Sequence, residues 1–434
     1  MKLTVFQSDK GDSLLLESTT GGNPPARMLV DGGMRNSYKA HVRAHLSEVP
    51  ELDAVCVSHI DQDHISGVLQ LLDDVVEWRV FEHQKKQGNP IAKQPKFARP
   101  PAIKEIWHNG FSEQVGHNAG PVEEMLATSS KILFGAKNSL GQLAAMTRQD
   151  IVTGTREGIQ LSRRIATQQL NIPLNQPSAG KLMLVRDGQQ PIRLGPLRIH
   201  LIAPFASDVT KLRKEWNEWL AANEGALQAI REKAQEDQER LGLTDFDACV
   251  GMLAMEARVL GDRSRVTTPN LASIMLLAEE GSQSALLTGD GHHEDILKGL
   301  ERVGKLAAGG GLHVNILKVQ HHGSEHNTNQ KFCRRVTADN YVFCGNGEHG
   351  NPDQAVVEAF IDSRLGPPGT RSTNDETSRP FKLWFNSSSL AVRDKQDNAD
   401  HMRQLATLVK QRASHSGGTL TYTFLRGSSL LVTP

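Results

Sequence analysis

An α/β fold is predicted by three observations on this 434-residue chain. Short apolar runs alternate with helical periodicity through the N-terminal third. A cluster of carboxylates and imidazoles follows directly on one buried strand. The same strand–helix texture returns after Leu271, where histidine is concentrated.

Leu3-Thr4-Val5-Phe6 and Leu14-Leu15-Leu16 read as strands around the turn Lys10-Gly11-Asp12-Ser13. Arg27-Met28-Leu29-Val30 is a third strand, ending at Asp31-Gly32-Gly33. The periodicity predicts a helix from Ser37 to Leu46 and a buried strand at Ala54-Val55-Cys56-Val57. A turn through Ser58 to Ser66 leads into a helix from Gly67 to Leu72, and Trp78 to Glu82 reads as a strand. Residues 83–104 contain Lys85, Lys86, Lys93, Lys96, Arg99 and Lys104, no acid and four Pro, the composition of a basic loop. Helical segments are expected over Val122 to Phe134 and Leu140 to Leu170, and Ile192 to Ala203 reads as a hairpin. Asp208 to Leu241 is a polar helical stretch suited to solvent or a protein partner. Strands follow at Ile274 to Ala278, Ser284 to Leu287 and Val314 to Val319. The tail offers a helix at Ala399 to Gln411 and strands at Thr419 to Leu425 and Ser429 to Thr433, with Gly366 to Ser378 a loop between.

Composition narrows the function classes. Lys+Arg and Asp+Glu each total 49, so no broadly basic surface for gripping nucleic acid is expected, although a local patch is compatible. Four Cys without a CxxC pair are no disulfide framework or structural zinc site. Reduced, buried Cys and an N-terminus that meets charge at Asp9 predict a cytoplasmic protein. No apolar run approaches the ~18–20 residues of a membrane span. Seven of the 17 His lie between Asp290 and Gly350, about threefold more than an even spread. Histidine is the commonest metal ligand.

The chemistry is carried first by Ser58-His59-Ile60-Asp61-Gln62-Asp63-His64, at the carboxyl end of a buried strand. Carboxylate and imidazole together suit one divalent cation or two. This segment resembles the HxHxDH motif of the metallo-β-lactamase fold, with Asp61 in the place of the second His. Leu29-Val30-Asp31-Gly32-Gly33, Leu286-Leu287-Thr288-Gly289-Asp290 and Leu317-Lys318-Val319-Gln320-His321-His322-Gly323-Ser324 fall in that family's order. With Gly11-Asp12-Ser13 and Asn270-Leu271-Ala272-Ser273 added, the chain is similar to the hydrolase domain of ComEC-type competence DNA-uptake proteins. The resemblance covers Met1 to Glu82, Ile192 to Pro204 and Leu271 to about Phe360.

The resemblance implies an αββα four-layer sandwich, a single domain over 1–434. It would be interrupted by insertions at 83–191 and 205–270 and followed by an extension at 366–434. It implies a dimetal centre: His59, Asp61 and Asp290 for one cation, and Asp63, His64, Asp290 and one of His321 or His322 for the other, with His322 favoured. A carboxylate can bridge two cations, which together activate water and clamp a phosphate. Two departures bear on the metal. No His stands near Leu201 to Ala206 where the family has a Pro-Gly-His-Thr motif, since His200 precedes Pro204, and Asp61 replaces a His. Both make the first site oxygen-rich, bringing Mn2+ into competition with Zn2+ and counting against β-lactam hydrolysis. Asp63 belongs to the catalytic set, joined by Ser324, which could bind a substrate oxygen or cap its own turn. His349 completes it, either as a general acid for the leaving oxygen or as a loop His with no such role. Asp31 is expected to be structural, and Asp12 to orient a ligand. His83 and His108 are expected to be solvated.

The resemblance points to a nuclease, most simply a cytoplasmic DNase, acting alone or as an effector in a system such as phage defence. Lys85, Lys86, Lys93, Lys96 and Arg99 would grip the phosphate backbone and Phe97 would stack on a base. A small phosphodiester, cyclic nucleotide, lactone or thioester is the alternative substrate if the Leu140 to Leu170 helices roof a narrow pocket. A non-catalytic metal-binding interaction module is the third reading.

Overall fold

Alternating side chains in the short N-terminal strands divide between two apolar faces, and two sheets stacked face to face result. The computed structural model describes residues 1–20, 24–110, 157–158, 160–207, 209–210, 214 and 273–434. Among these, β1 (Lys2–Phe6), β2 (Leu14–Glu17), β3 (Arg27–Val30), β4 (Glu51–Leu52), β5 (Ala54–Val57), β6 (Ala102–Ile103) and β7 (Ile106–His108) form the N-terminal part. The hairpin β8 (Ile192–Leu194) and β9 (Leu197–Ala203) turns at Gly195, which has φ +55°. The later strands are β10 (Met275–Glu280), β11 (Gln283–Leu287), β12 (Leu312–Lys318), β13 (Val336–Phe343), β14 (Phe381–Phe385), β15 (Leu420–Phe424) and β16 (Ser429–Val432). The first sheet has the order β16-β1-β2-β3-β5-β7, the second β15-β14-β13-β12-β11-β10-β9-β8, and β4 pairs with β6. The tail thus supplies strands to both large sheets.

The period of two sorts the core. Leu3, Val5, Leu14, Leu16, Met28 and Cys56 face Leu197, Ile199, Leu276, Ala285, Leu287 and Ile316 across the inter-sheet layer. The intervening Leu15, Leu29, Val55 and Val57 pack outward against helices. On the other outer face Leu277, Leu286, Leu317 and Tyr341 meet Ile296, Leu300, Phe360 and Leu405. The order is helix, sheet, sheet, helix, as the sequence predicted.

On the first face, α1 (Arg35–Ser37) passes through a π-helical turn (Tyr38–Val42) into α2 (Arg43–Leu46), and α3 (Gln62–Lys86) follows. On the second lie α4 (His293–Arg302), α5 (Gln330–Arg335), α6 (Gln354–Leu365) and α7 (Gln396–Ser414). The predicted break between a helix at Gly67 to Leu72 and a strand at Trp78 to Glu82 is corrected: both lie within α3. Trp78, Val80 and Phe81 are β-prone, but extending an existing helix costs far less than nucleating a strand, and no Gly or Pro intervenes before Gly88 at φ +72°. Lys85 and Lys86 are therefore helical, not in a loop.

Strands β7, β13 and β14 and helix α6 went unread in the sequence. β13 carries polar Thr337 and Asn340 at buried positions, which masks its strand character. The structure satisfies them internally: Asn340 donates to the Asn315 carbonyl at 3.1 Å and accepts from Trp384 Nε1 at 2.9 Å. Gly366 to Ser378 is a loop as expected, with a short 3-10 turn over Asp375–Ser378. Buried Arg364 donates to the carbonyls of Thr377, Glu376 and Arg379 around it. Cys56, Cys333 and Cys344 are free and buried. No helix among the described residues is long and apolar enough to cross a membrane. The predicted segment Val122 to Phe134, the polar stretch Asp208 to Leu241 apart from residues 209, 210 and 214, and residues 140–156 of the second predicted helical segment lie outside the described residues.

Candidate metal centre

Strand ends and tight turns deliver every ionisable group of the centre. The carboxyl end of β5 presents Ser58 and His59, and the first turn of α3 presents Asp63 and His64. Asp12 comes from the turn before β2, and Asp290 from the turn after β11. Lys318 ends β12, and His321 and His322 follow at φ 45° and 55°. Two close approaches require glycine. A Cβ on Gly11 would lie 1.7 Å from the Asp63 carbonyl oxygen, and one on Gly67 would lie 1.9 Å from that of Gly32. The loop after β3 is laced to α3 by Gly32 N–H donating to His64 O at 2.8 Å and Gly67 N–H to Gly33 O at 2.9 Å.

Asp31 is the hub of this lacing, fully buried at φ 58°. Its Oδ1 accepts from Ser58 N–H at 2.7 Å, and its Oδ2 from Ser58 Oγ at 2.6 Å and His64 Nδ1 at 2.8 Å. With Nδ1 committed, His64 turns Nε2 to Asp290 Oδ1 at 3.3 Å and His322 Nε2 at 3.4 Å. His322 Nε2 in turn lies 3.3 Å from both Asp63 Oδ2 and Asp290 Oδ2. Two ring nitrogens facing each other between carboxylates is an arrangement that a shared cation satisfies.

Ligand-type atoms of Asp12, His64, Asp290 and His322 all lie within 4.8 Å of one another, and all four residues are buried. Asp12 joins this group from behind the rings. Its Oδ1 lies 3.4 Å from His322 Nδ1 and its Oδ2 3.9 Å from His64 Nδ1. Asp63 instead approaches the Nε2 side, so it, rather than Asp12, has the geometry of a donor to the shared point.

His59 and Asp61 stand on the other side of Asp290. His59 Nδ1 is 3.0 Å from Ser58 Oγ, while Nε2 lies 3.6 Å from Asp61 Oδ2 and 3.7 Å from Asp290 Oδ2. Asp61 is the N-cap residue of α3, yet its side chain makes no capping hydrogen bond. His59 Nε2 and Asp290 Oδ1 are buried without a hydrogen-bond partner. Such orphans are costly without a ligand, and the donor set fits divalent cations.

The electrostatics agree. Burial works to raise the Asp290 and Asp63 carboxyls, but the facing His322 and His64 outweigh it and hold both well below the usual range. Burial works to lower His64 and His322, and Asp290 chiefly reverses this, holding both rings above the ordinary value. His321 is different: burial lowers it despite Asp290. Its Nδ1 meets Asn327 Oδ1 at 2.6 Å and its Nε2 is 3.7 Å from Asp290 Oδ2.

The structure spreads the remaining sequence candidates apart. Ser324 is buried in its turn, where its N–H donates to His321 O at 2.8 Å and its Oγ accepts from His326 N–H at 3.4 Å. The side chain of His349 is 68% exposed, with Glu348 Oε1 3.9 Å from its Nε2. His200 pairs with Glu279 at 3.0 Å. His83 is exposed, as expected, but His108 is not: it is buried, with neither ring nitrogen hydrogen-bonded.

The basic group also moves. Lys85 stands 22 residues beyond Asp63 on α3, about 33 Å along the helix axis. Because β7 runs parallel to β5, residues 87–101 lead to the end of the sheet opposite Ser58 and His59. Lys85, Lys86, Lys93, Lys96 and Arg99 are therefore not beside the donors, and Arg99 is paired with Glu82 at 3.0 Å. One face of Phe97 is covered by the Arg43 guanidinium, 4.4 Å from its centroid.

Sequence reasoning missed Lys318 and Asn327. A lysine inside Ile316-Leu317-Lys318-Val319 was a readable signal, since an ammonium in an apolar strand needs a buried partner. Asn327, which holds His321 and donates to the Asp290 carbonyl at 3.0 Å, carried none.

Residues 12–120 match the family model of the Metallo-beta-lactamase superfamily. No curated protein matches the chain. Members of that superfamily are generally hydrolases, and the buried His/Asp cluster supports divalent-metal binding, so a metal-dependent hydrolase is the general class. Residues 12–120 are thus similar to the metallo-beta-lactamase superfamily, and the two stacked sheets with donors at their strand ends give the chain an α/β fold consistent with that likeness.

Proposed function

We propose that the chain hydrolyses phosphodiester bonds, with DNA as the first substrate to test, using two divalent cations. One observation carries the reading: His64 Nε2, His322 Nε2, Asp63 Oδ2 and Asp290 converge from three separate segments at 3.3–3.4 Å. In this reading Asp63, His64, Asp290 and His322 hold one cation and His59, Asp61 and Asp290 the other. The oxygen-rich second set leaves Mn2+ and Zn2+ both eligible. His322 is preferred to His321 in the first group because its Nε2 lies 3.3 Å from both Asp63 Oδ2 and Asp290 Oδ2 and 3.4 Å from His64 Nε2, whereas His321 Nε2 is 3.7 Å from Asp290 Oδ2. Bound cations would polarise a phosphoryl oxygen and generate hydroxide near neutral pH. The chain's own task is to hold that geometry: Asp31 fixes His64, and Ser58 fixes His59. The ComEC-type resemblance of Gly11-Asp12-Ser13 and His321-His322-Gly323-Ser324 supports the polymer substrate. The single-domain organisation, with the tail as part of the sandwich, belongs to the same proposal.

A second reading, a small phosphodiester, cyclic nucleotide, lactone or thioester, is favoured by Glu157. This residue interacts with Gln62, Arg35 and Asp63, so the 83–191 segment brings a side chain to the first turn of α3. Burial pushes its carboxyl up to about 7, against the influence of Arg35 and Gln62. A site without the basic group nearby suits a compact substrate better than a polyanion.

Metal analysis followed by incubation with single- and double-stranded DNA, RNA and bis-p-nitrophenyl phosphate, in Zn2+ and in Mn2+, separates the readings. Cleavage of polymer, lost in Asp63→Asn and His64→Ala, is the expected result. Cleavage of the small ester alone favours the second reading, and no activity on any polymer rejects the first.

A further inference from the structure

Both histidines that face the shared point have a buried carboxylate behind them. Asp31 stands behind His64 and is itself held by two donors of Ser58. Behind His322 stands Asp12, whose Oδ1 lies 3.4 Å from Nδ1, a nitrogen that has no hydrogen bond of ideal geometry. The group that holds Asp12 is Lys318. Its side chain is fully buried at the end of β12, and its ammonium pairs with Asp12 Oδ2, donates to Gly289 O at 2.9 Å and lies 3.8 Å from Asp290 Oδ1. An ammonium offers three donors and no acceptor; Asp12 Oδ2 and Gly289 O take two, and Asp290 Oδ1 lies within ion-pair range but beyond hydrogen-bond distance. Gly289 immediately precedes Asp290, so one side chain touches the turns that supply two different donors.

A buried ammonium is expensive unless its charge is used, and an apolar side chain of similar length would fill the same volume. We propose that Lys318 is a positioning residue for the metal centre. By holding and neutralising Asp12 it keeps that carboxylate out of coordination and aimed at His322 Nδ1, so that His322 presents Nε2 to the cation. Carboxylate–imidazole–metal chains of this kind fix both the tautomer and the orientation of the ring. The inference rests on the reading of His322 as a ligand.

Zinc affinity, measured by competition with a chromophoric chelator, tests it in a cycle of wild type, Lys318→Met, Asp12→Asn and the double variant. Each single substitution should weaken zinc binding about 10–100-fold, the range for partners that orient ligands. Because Lys318 acts through Asp12, adding Lys318→Met to Asp12→Asn should change affinity by less than about threefold. In zinc-loaded protein labelled with 15N-histidine, His322 should give a slowly exchanging Nδ1–H signal that shifts in Lys318→Met, while that of His64 stays. Multiplying losses in the double variant, or wild-type affinity with an unmoved His322 signal in Lys318→Met, overturns the proposal. If Lys318→Met fails to fold, Asp12→Asn carries the test, and an unmoved His322 signal there overturns it equally. Wild-type zinc binding in His322→Ala would instead overturn the ligand reading beneath it.

Discussion

Asp31→Asn tests whether the tautomer of His64 is what makes it a metal donor. Asn keeps an oxygen for the Ser58 N–H, now 2.7 Å from Oδ1. At Oδ2, however, it places an amide donor against His64 Nδ1, now at 2.8 Å, and Ser58 Oγ at 2.6 Å. His64 Nδ1 must then accept, which puts the proton on Nε2, pointing at Asp290 Oδ1 3.3 Å away. The lone pair that a cation needs is gone. Loss of a charge-assisted hydrogen bond costs about 1.5–3 kcal/mol, and a shift of that size in metal binding is roughly 10–150-fold. The metal-free fold should lose a similar amount, because the Ser58 N–H keeps its partner. Chelator competition for zinc gives the first number and urea unfolding of metal-free protein the second. Zinc affinity within about threefold of wild type would refute the tautomer argument, whatever the stability change.

Three further outcomes follow from the geometry. Replacing Lys85, Lys86, Lys93 and Lys96 by Ala should leave both activity and the salt slope of any DNA binding unchanged, since Lys85 lies about 33 Å along α3 from Asp63; a flatter slope in a filter-binding titration would return this group to the substrate path. Gly67→Ala would set a Cβ 1.9 Å from the Gly32 carbonyl oxygen and should destabilise the fold by about 3 kcal/mol in urea, the upper end of overpacking costs. His108 provides a pH signature: burial pushes it down to about 3, whereas an unfolded histidine titrates near 6.5. Below the unfolded value the unfolded chain gains a proton that the folded chain refuses, so stability is lost as pH falls from about 6.5 toward 3. This amounts to roughly 2 kcal/mol between pH 7 and 5, and His108→Phe should flatten that part of the profile in thermal melts.

How much of this was legible depended on whether the physics was local. The strands at Arg27 to Val30 and Ala54 to Val57 stood out as apolar runs, and Asp63 and His64 as metal-type side chains crowded after one of them, whereas Asp31, Asp290 and His322 were picked out by the family resemblance. The full reach of α3 did not, because Trp78 to Phe81 favour a strand locally and are helical only through the preceding turns. β13 hid behind Thr337 and Asn340, whose partners lie on other strands and loops. The basic run showed its charge but not its address, which the direction of α3 and the parallel pairing of β7 with β5 determine. Asn327 matters only because it meets His321 and the Asp290 carbonyl in space.

Each donor sits within four residues of a strand end, except Asp63 and His64, which begin a helix laced to the loop after β3. Donor spacing is therefore governed by strand register, and the length of chain between donors enters only through closure entropy. Doubling or halving a connection such as residues 204–274 changes that entropy by about 0.6 kcal/mol, less than the roughly 1.5–3 kcal/mol of one charge-assisted hydrogen bond. The chemistry is in this sense insulated from the segments threaded between its parts. Those segments are free to diverge in length and composition toward new substrates or partners while His59, Asp63, His64, Asp290 and His322 stay in place.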